Sequence, residues 1–141
     1  LAPSMSQRLA PKVGIASCLA LVAALAFPYF VAPGAAVAVY YGTVAVPVEL
    51  LDVVFALVAV VAFGSGLNER TDPPTVAGAT VALGGVIALI TLWWVLATPA
   101  ATTDALVQAA RMDALAYHRW VVLLAAFAIP ASAGWYARTV L

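Results

Sequence analysis

Four residues of this 141-residue chain could do chemistry inside otherwise apolar sequence: Glu49, Asp52, His118 and Arg119. Glu49 and Asp52 stand three positions apart in VPVELLDVVFALVAVVAF, residues 46–63. A helix puts both carboxylates on one face, about 4.5 Å apart along the axis. His118 and Arg119 open HRWVVLL at the head of another apolar run. Such a set could relay protons, hold a cation, or neutralise itself across a pair of helices. A lone charge in mid-membrane costs roughly 2.5–3.5 kcal/mol or more, so a partner is expected. The arrangement therefore predicts that the second and fourth apolar runs are neighbours, with Arg119 paired to Glu49 or Asp52 and His118 close by. The simplest role for this polar intramembrane cluster is an interhelical clamp that fixes register and rotation. A functional site for protons, an ion or a small solute is the alternative, and solvated, unpaired side chains in the headgroup zone are a third.

Other chemistry finds little support. His118 with two carboxylates could ligate zinc or iron, but no H-x-x-x-H or E-x-x-H spacing accompanies it, so no metal is assigned. His118 is the single histidine, which excludes a bis-histidine haem within one chain. Cys18 is the single cysteine and excludes a dithiol motif or an intrachain disulfide. Ser17 and Cys18 lie deep in an apolar run without a base and read as packing residues rather than nucleophiles. Gly64 and Gly66 do not make a phosphate loop. No catalytic residue and no cofactor is expected. Formal net charge is zero, giving no field for nucleic acid.

The elements that must position these residues are helices in lipid. The chain is 66% hydrophobic and 9% charged, with a mean hydropathy of +1.10, where soluble domains carry about 25% charged residues. Four apolar runs reach membrane-spanning length, at about residues 13–32, 47–66, 75–97 and 119–138. They are continuous rather than alternating, which argues against a barrel. APG (32–34), GLNERTDPP (66–74) and TPAATTD (98–104) separate them. Pro73 and Pro74 favour a fresh helix start. Pro28 and Pro130 free carbonyls in the preceding turn, which neighbouring helices or waters must satisfy, and predict bends rather than breaks. Gly78, Ala82 and Gly85 in the third span, and Ala125, Ala128 and Ser132 in the fourth, offer small faces for close helix contact.

The fold class expected is all-α, a four-transmembrane-helix bundle with a short amphipathic helix before the last span. That helix covers about 103–117, with Leu106, Ala109, Met112 and Ala116 opposite Asp104, Gln108 and Arg111. No Gly or Pro separates it from the fourth span, so it could run directly on. Residues 34–46 are uncharged and aromatic and should hug the interface. Residues 1–4, LAPS, read as a non-native leader before Met5, and 5–141 as one membrane domain with a retained first helix. Arg8, Lys12, Arg70 and Arg138 would lie on the cytoplasmic side, and Arg111 and Arg119 outside, placing both termini inside the cell membrane. Tyr29, Phe30, Tyr40, Tyr41, Trp93, Trp94, Tyr117 and Trp120 then mark the outer boundary, and Trp135 and Tyr136 the inner one.

YYG (40–42), RTDP (70–73), YHRW (117–120) and WYAR (135–138), set on four spans, resemble a group of small uncharacterised four-helix integral membrane proteins of halophilic archaea. The resemblance covers nearly the whole chain after Met5. It implies an archaeal membrane and carries no activity with it. The function expected is therefore a structural or accessory membrane protein, partnered by lipids and by itself or another membrane protein. The alternatives are a small proton- or cation-coupled carrier or channel and, more weakly, an intramembrane enzyme acting on lipid or quinone.

Overall fold

The computed structural model describes residues 4–141. Six α-helices follow one another: α1 (Met5–Val31), α2 (Gly34–Tyr41), α3 (Val48–Leu67), α4 (Pro73–Ala97), α5 (Ala100–Ala110) and α6 (His118–Val140), with a 3₁₀ turn over Asp113–Tyr117 before the last. Four of them, α1, α3, α4 and α6, are long and apolar enough to cross a membrane. Large apolar side chains point outward along all four, among them Leu19, Val61, Leu89 and Leu124. An apolar exterior of this kind belongs in lipid rather than water.

Residues 1–3 of the expected leader lie outside the described residues, while Ser4 is the N-cap of α1. Its hydroxyl accepts from Gln7 N at 3.2 Å, and Gln7 Oε1 accepts from Ser4 N at 2.8 Å, a reciprocal capping box. The cap starts α1 two turns before the apolar run. The bounds of α3 and α4 agree with the sequence reading to within two residues. At the start of α4, Pro73 and Pro74 occupy the first turn and Asp72 accepts from Thr75 Oγ1 at 3.1 Å.

The four long helices form a ring in which α1 packs against α3 and α6, and α4 against α3 and α6. The α3 and α6 helices therefore face each other across the diagonal. This corrects the expectation that the second and fourth spans are neighbours. The physical reason is connectivity, since short loops make successive spans adjacent and a closed ring then separates the second from the fourth.

The α4–α6 contact, the most extensive, is closest where Gly84 meets Pro130. A methyl group on Gly84 would lie 2.8 Å from Pro130 N and 2.9 Å from its Cα. The expected glycines, Gly78 and Gly85, have open space around them. The small face of α4 is turned from the predicted one and runs through Thr80, Gly84, Ala88 and Thr91. At the other contact inside the ring, Gly14 of α1 leaves room for the ring of Phe63 of α3.

One end of the bundle carries both termini and the α3–α4 turn. The other carries α2, α5 and the 3₁₀ turn. The amphipathic helix is shorter and earlier than expected, because Arg111 adopts the left-handed conformation, with φ 55° and ψ 40°, and ends it. Absence of Gly and Pro did not keep the helix running. Its inward face is Thr103, Leu106 and Val107, and Ala109 and Ala116 are exposed. A left-handed non-glycine residue is strained. Arg111→Gly, at this exposed corner, is expected to raise stability by roughly 0.5–1 kcal/mol, measured as the melting midpoint in detergent. A lower midpoint would show that the Arg111 side chain, not its backbone, secures the corner.

Candidate functional site at the α2 end

Proline 28 sets up the polar end of the bundle. Its ring removes the N–H that would bond Ala24 O four residues earlier. His118, at the first turn of α6, fills the gap, with Nε2 at 2.6 Å from Ala24 O. A carbonyl can only accept, so Nε2 carries the proton. In the neutral ring Nδ1 is then the acceptor, and Tyr40 donates its hydroxyl to it at 2.9 Å. The next carbonyl of the same turn, Leu25 O, accepts from the Tyr41 hydroxyl at 2.6 Å. An imidazole and one phenol thus dock onto the turn of α1 that proline opened, and the second phenol is held by the imidazole. The sequence expectation that a neighbouring helix must satisfy this turn is met.

The helix carrying those phenols, α2, turns one face to the bundle and leaves the other, with Val39, exposed. Val37, Tyr40 and Tyr41 are buried, and the short helix folds over the bundle as a lid. Trp94 of α4 completes the seat. Its indole N–H donates to Tyr40 O at 3.0 Å, and its ring meets Tyr40 edge-on with centroids 5.1 Å apart. The aromatic belt expected at this boundary therefore divides. Tyr29, Phe30, Trp93, Tyr117 and Trp120 face outward, whereas Tyr40, Tyr41 and Trp94 form an interior stack. At the opposite end Tyr136 is likewise turned inward, with its hydroxyl against Gly66. Burial pushes the Tyr40 and Tyr41 phenols well above their ordinary range. Arg119 opposes the rise at Tyr40, and the neighbouring phenols, Glu49 and Asp52 add to it at Tyr41. Both hydroxyls remain donors throughout the physiological range.

Arg119 is not paired with a carboxylate, and the expected clamp to Glu49 or Asp52 is corrected. No ion pair within 4.0 Å joins them among the described residues. Arg119 reaches α4 instead, donating from one guanidinium nitrogen to Thr98 O at 2.7 Å and Val95 O at 3.4 Å. It supplies a positive charge where the α4 carbonyls run out. The guanidinium also lies over the Trp120 ring at 5.3 Å. Thr98, whose hydroxyl donates to Trp94 O at 2.6 Å, accepts from Thr43 at 3.0 Å and ties the α2–α3 loop to the same corner.

Asp52 is fully buried, and Thr91 of α4 donates to its Oδ2 at 2.5 Å. Its other oxygen, Oδ1, has no hydrogen-bond partner among the described residues, and neither does Glu49 Oε2. Glu49 stands one turn earlier, in the first turn of α3. The four residues share one end of the bundle but not one partner. Asp52 binds α4 through Thr91, His118 binds α1 and Arg119 binds α4, while Glu49 Oε2 is left without a partner among the described residues. Sequence reasoning missed Tyr40, Tyr41, Thr91 and Trp94. Thr91 could have been found, since it lies seven residues after Gly84 and eleven after Thr80, on one helical face of an otherwise apolar span. Cys18 is buried and Ser17 donates to Val13 O at 2.8 Å, within its own helix.

An all-helical bundle with four membrane-length helices and an inward-turned polar end defines a small multi-span protein of the membrane class. A family model covering residues 5–141 matches it, described as a "Family of unknown function (DUF7548)". The chain belongs to that family. No curated protein and no solved structure matches it.

Proposed function

We propose that the chain is a structural or accessory protein of the cell membrane, whose polar residues hold the shape of one bundle end rather than pass a solute. The observation that carries this reading is the destination of the donors. His118 and Arg119 both end on backbone carbonyls of neighbouring helices, and Thr91 on Asp52. A solute path would need these groups turned towards water or one another. Orientation with both termini cytoplasmic is favoured by Arg8, Lys12, Arg70 and Arg138 at the terminal end, against Arg111 and Arg119 at the α2 end. The likeness to halophilic archaeal proteins suggests an archaeal membrane. Lipids, a second copy or another membrane protein are the partners such a role calls for.

The second reading, a proton- or cation-coupled carrier, draws on the unpartnered oxygens of Asp52 and Glu49. Liposomes separate the two. Vesicles carrying the protein are expected to leak protons and sodium no faster than empty ones, while Arg119→Met lowers stability by about 1 kcal/mol through the lost carbonyl bonds. Flux above the empty-vesicle level that disappears in Asp52→Asn would establish the carrier instead.

A further inference from the structure

The geometry points to a binding groove for a long-chain ammonium amphiphile between α1 and α3, headed by Glu49. The groove is about 470 Å³, inside the range of small-molecule sites, and opens sideways where the bundle meets lipid. Its lining is graded. Tyr29 and Glu49 stand at the α2 end, Ala26 and Leu50 come next, and Val22 and Val53 lie deepest. From Tyr29 to Val22 is seven residues of α1, about 10 Å along the axis. A polar head near the membrane boundary and an apolar tail running inward would match that order.

The carboxylate selects the head. Glu49 lines the groove and is partly exposed, yet its carboxylate accepts no hydrogen bond among the described residues. The cation nearest in type, Arg119, is committed to α4 carbonyls across the ring. The first turn of α3 supports a negative charge only weakly, and no ion pair reaches this carboxylate among the described residues. An ammonium group arriving from the membrane supplies both the missing charge and the missing N–H donors. A sulfate or phosphate head would be repelled.

The probe is radiolabelled dodecylamine, added to the full chain in phosphatidylcholine nanodiscs, whose own quaternary heads carry no N–H. Saturable retention above empty nanodiscs is expected, with unlabelled dodecylamine displacing it and dodecyl sulfate failing to. Glu49→Gln is expected to weaken retention by at least about tenfold, and Ala26→Phe, which fills the groove without touching the carboxyl, by a similar factor. Both variants should keep the parent melting midpoint, because neither side chain holds another helix. Retention no greater than in empty nanodiscs would overturn the site. Retention unaffected by Ala26→Phe would move it elsewhere, and retention lost in Ala26→Phe but kept in Glu49→Gln would overturn the ammonium head. These outcomes are independent of the liposome leak, so either idea can fail alone.

Discussion

His118→Phe is expected to lower stability by about 2 kcal/mol, and Pro28→Ala is expected to relieve about half of that loss. Phenylalanine keeps a ring in the site but leaves the buried Tyr40 hydroxyl and the part-buried Ala24 O without partners. An orphaned buried polar group costs about 1–3 kcal/mol, and membrane hydrogen bonds fall at the low end, averaging about 0.6 kcal/mol. Alanine at position 28 restores the backbone N–H that Ala24 O lacks. In that background the histidine leaves only Tyr40 stranded when it is removed. The double-mutant cycle should therefore show a coupling of about 1 kcal/mol, read by reversible unfolding in mixed micelles. Additivity within about 0.5 kcal/mol would mean that His118 does not act through the carbonyl that proline frees.

The second large effect is expected at Gly84. Gly84→Ala should cost about 2 kcal/mol and Gly84→Leu should prevent the compact bundle, because the atoms in the way belong to the Pro130 backbone and cannot swing aside. Gly85→Ala, one residue on, should be neutral or slightly stabilising. Its Cβ meets nothing within 4 Å, and alanine favours a helix by up to about 1 kcal/mol. Melting midpoints of the two alanine variants make the comparison internal to one helix. Equal midpoints would show that α4 and α6 do not approach there.

Span number and span limits were legible because lipid imposes a length, and a run of apolar residues either meets it or does not. The early start of α1 was legible too, in Ser4 and Gln7, which carry the S-x-x-Q spacing of a capping box. Setting aside the first four residues hid it. Helix order was within reach through loop lengths, but the attraction between Glu49, Asp52 and Arg119 suggested the wrong neighbour. Charge complementarity says which residues need partners and not which partners they obtain. Backbone carbonyls, present in every helix, answer the need as well as a carboxylate does. The donor for the proline-freed carbonyl could not be read, since Ala24 and His118 are 94 residues apart and nothing local links them. Arg111 shows the same limit on a smaller scale, because its left-handed turn has no glycine to announce it.

The seat of α2 has a bearing on biogenesis. Its three supports are a carbonyl turn on the first span, an indole on the third and an imidazole on the last, and the chain emerges in that order. Tyr40 and Tyr41 are synthesised long before His118 exists, so of the three supports the imidazole is the last to arrive. A chain stalled before residue 118 therefore holds that segment by two of its three supports, and the histidine completes the seat only with the final span.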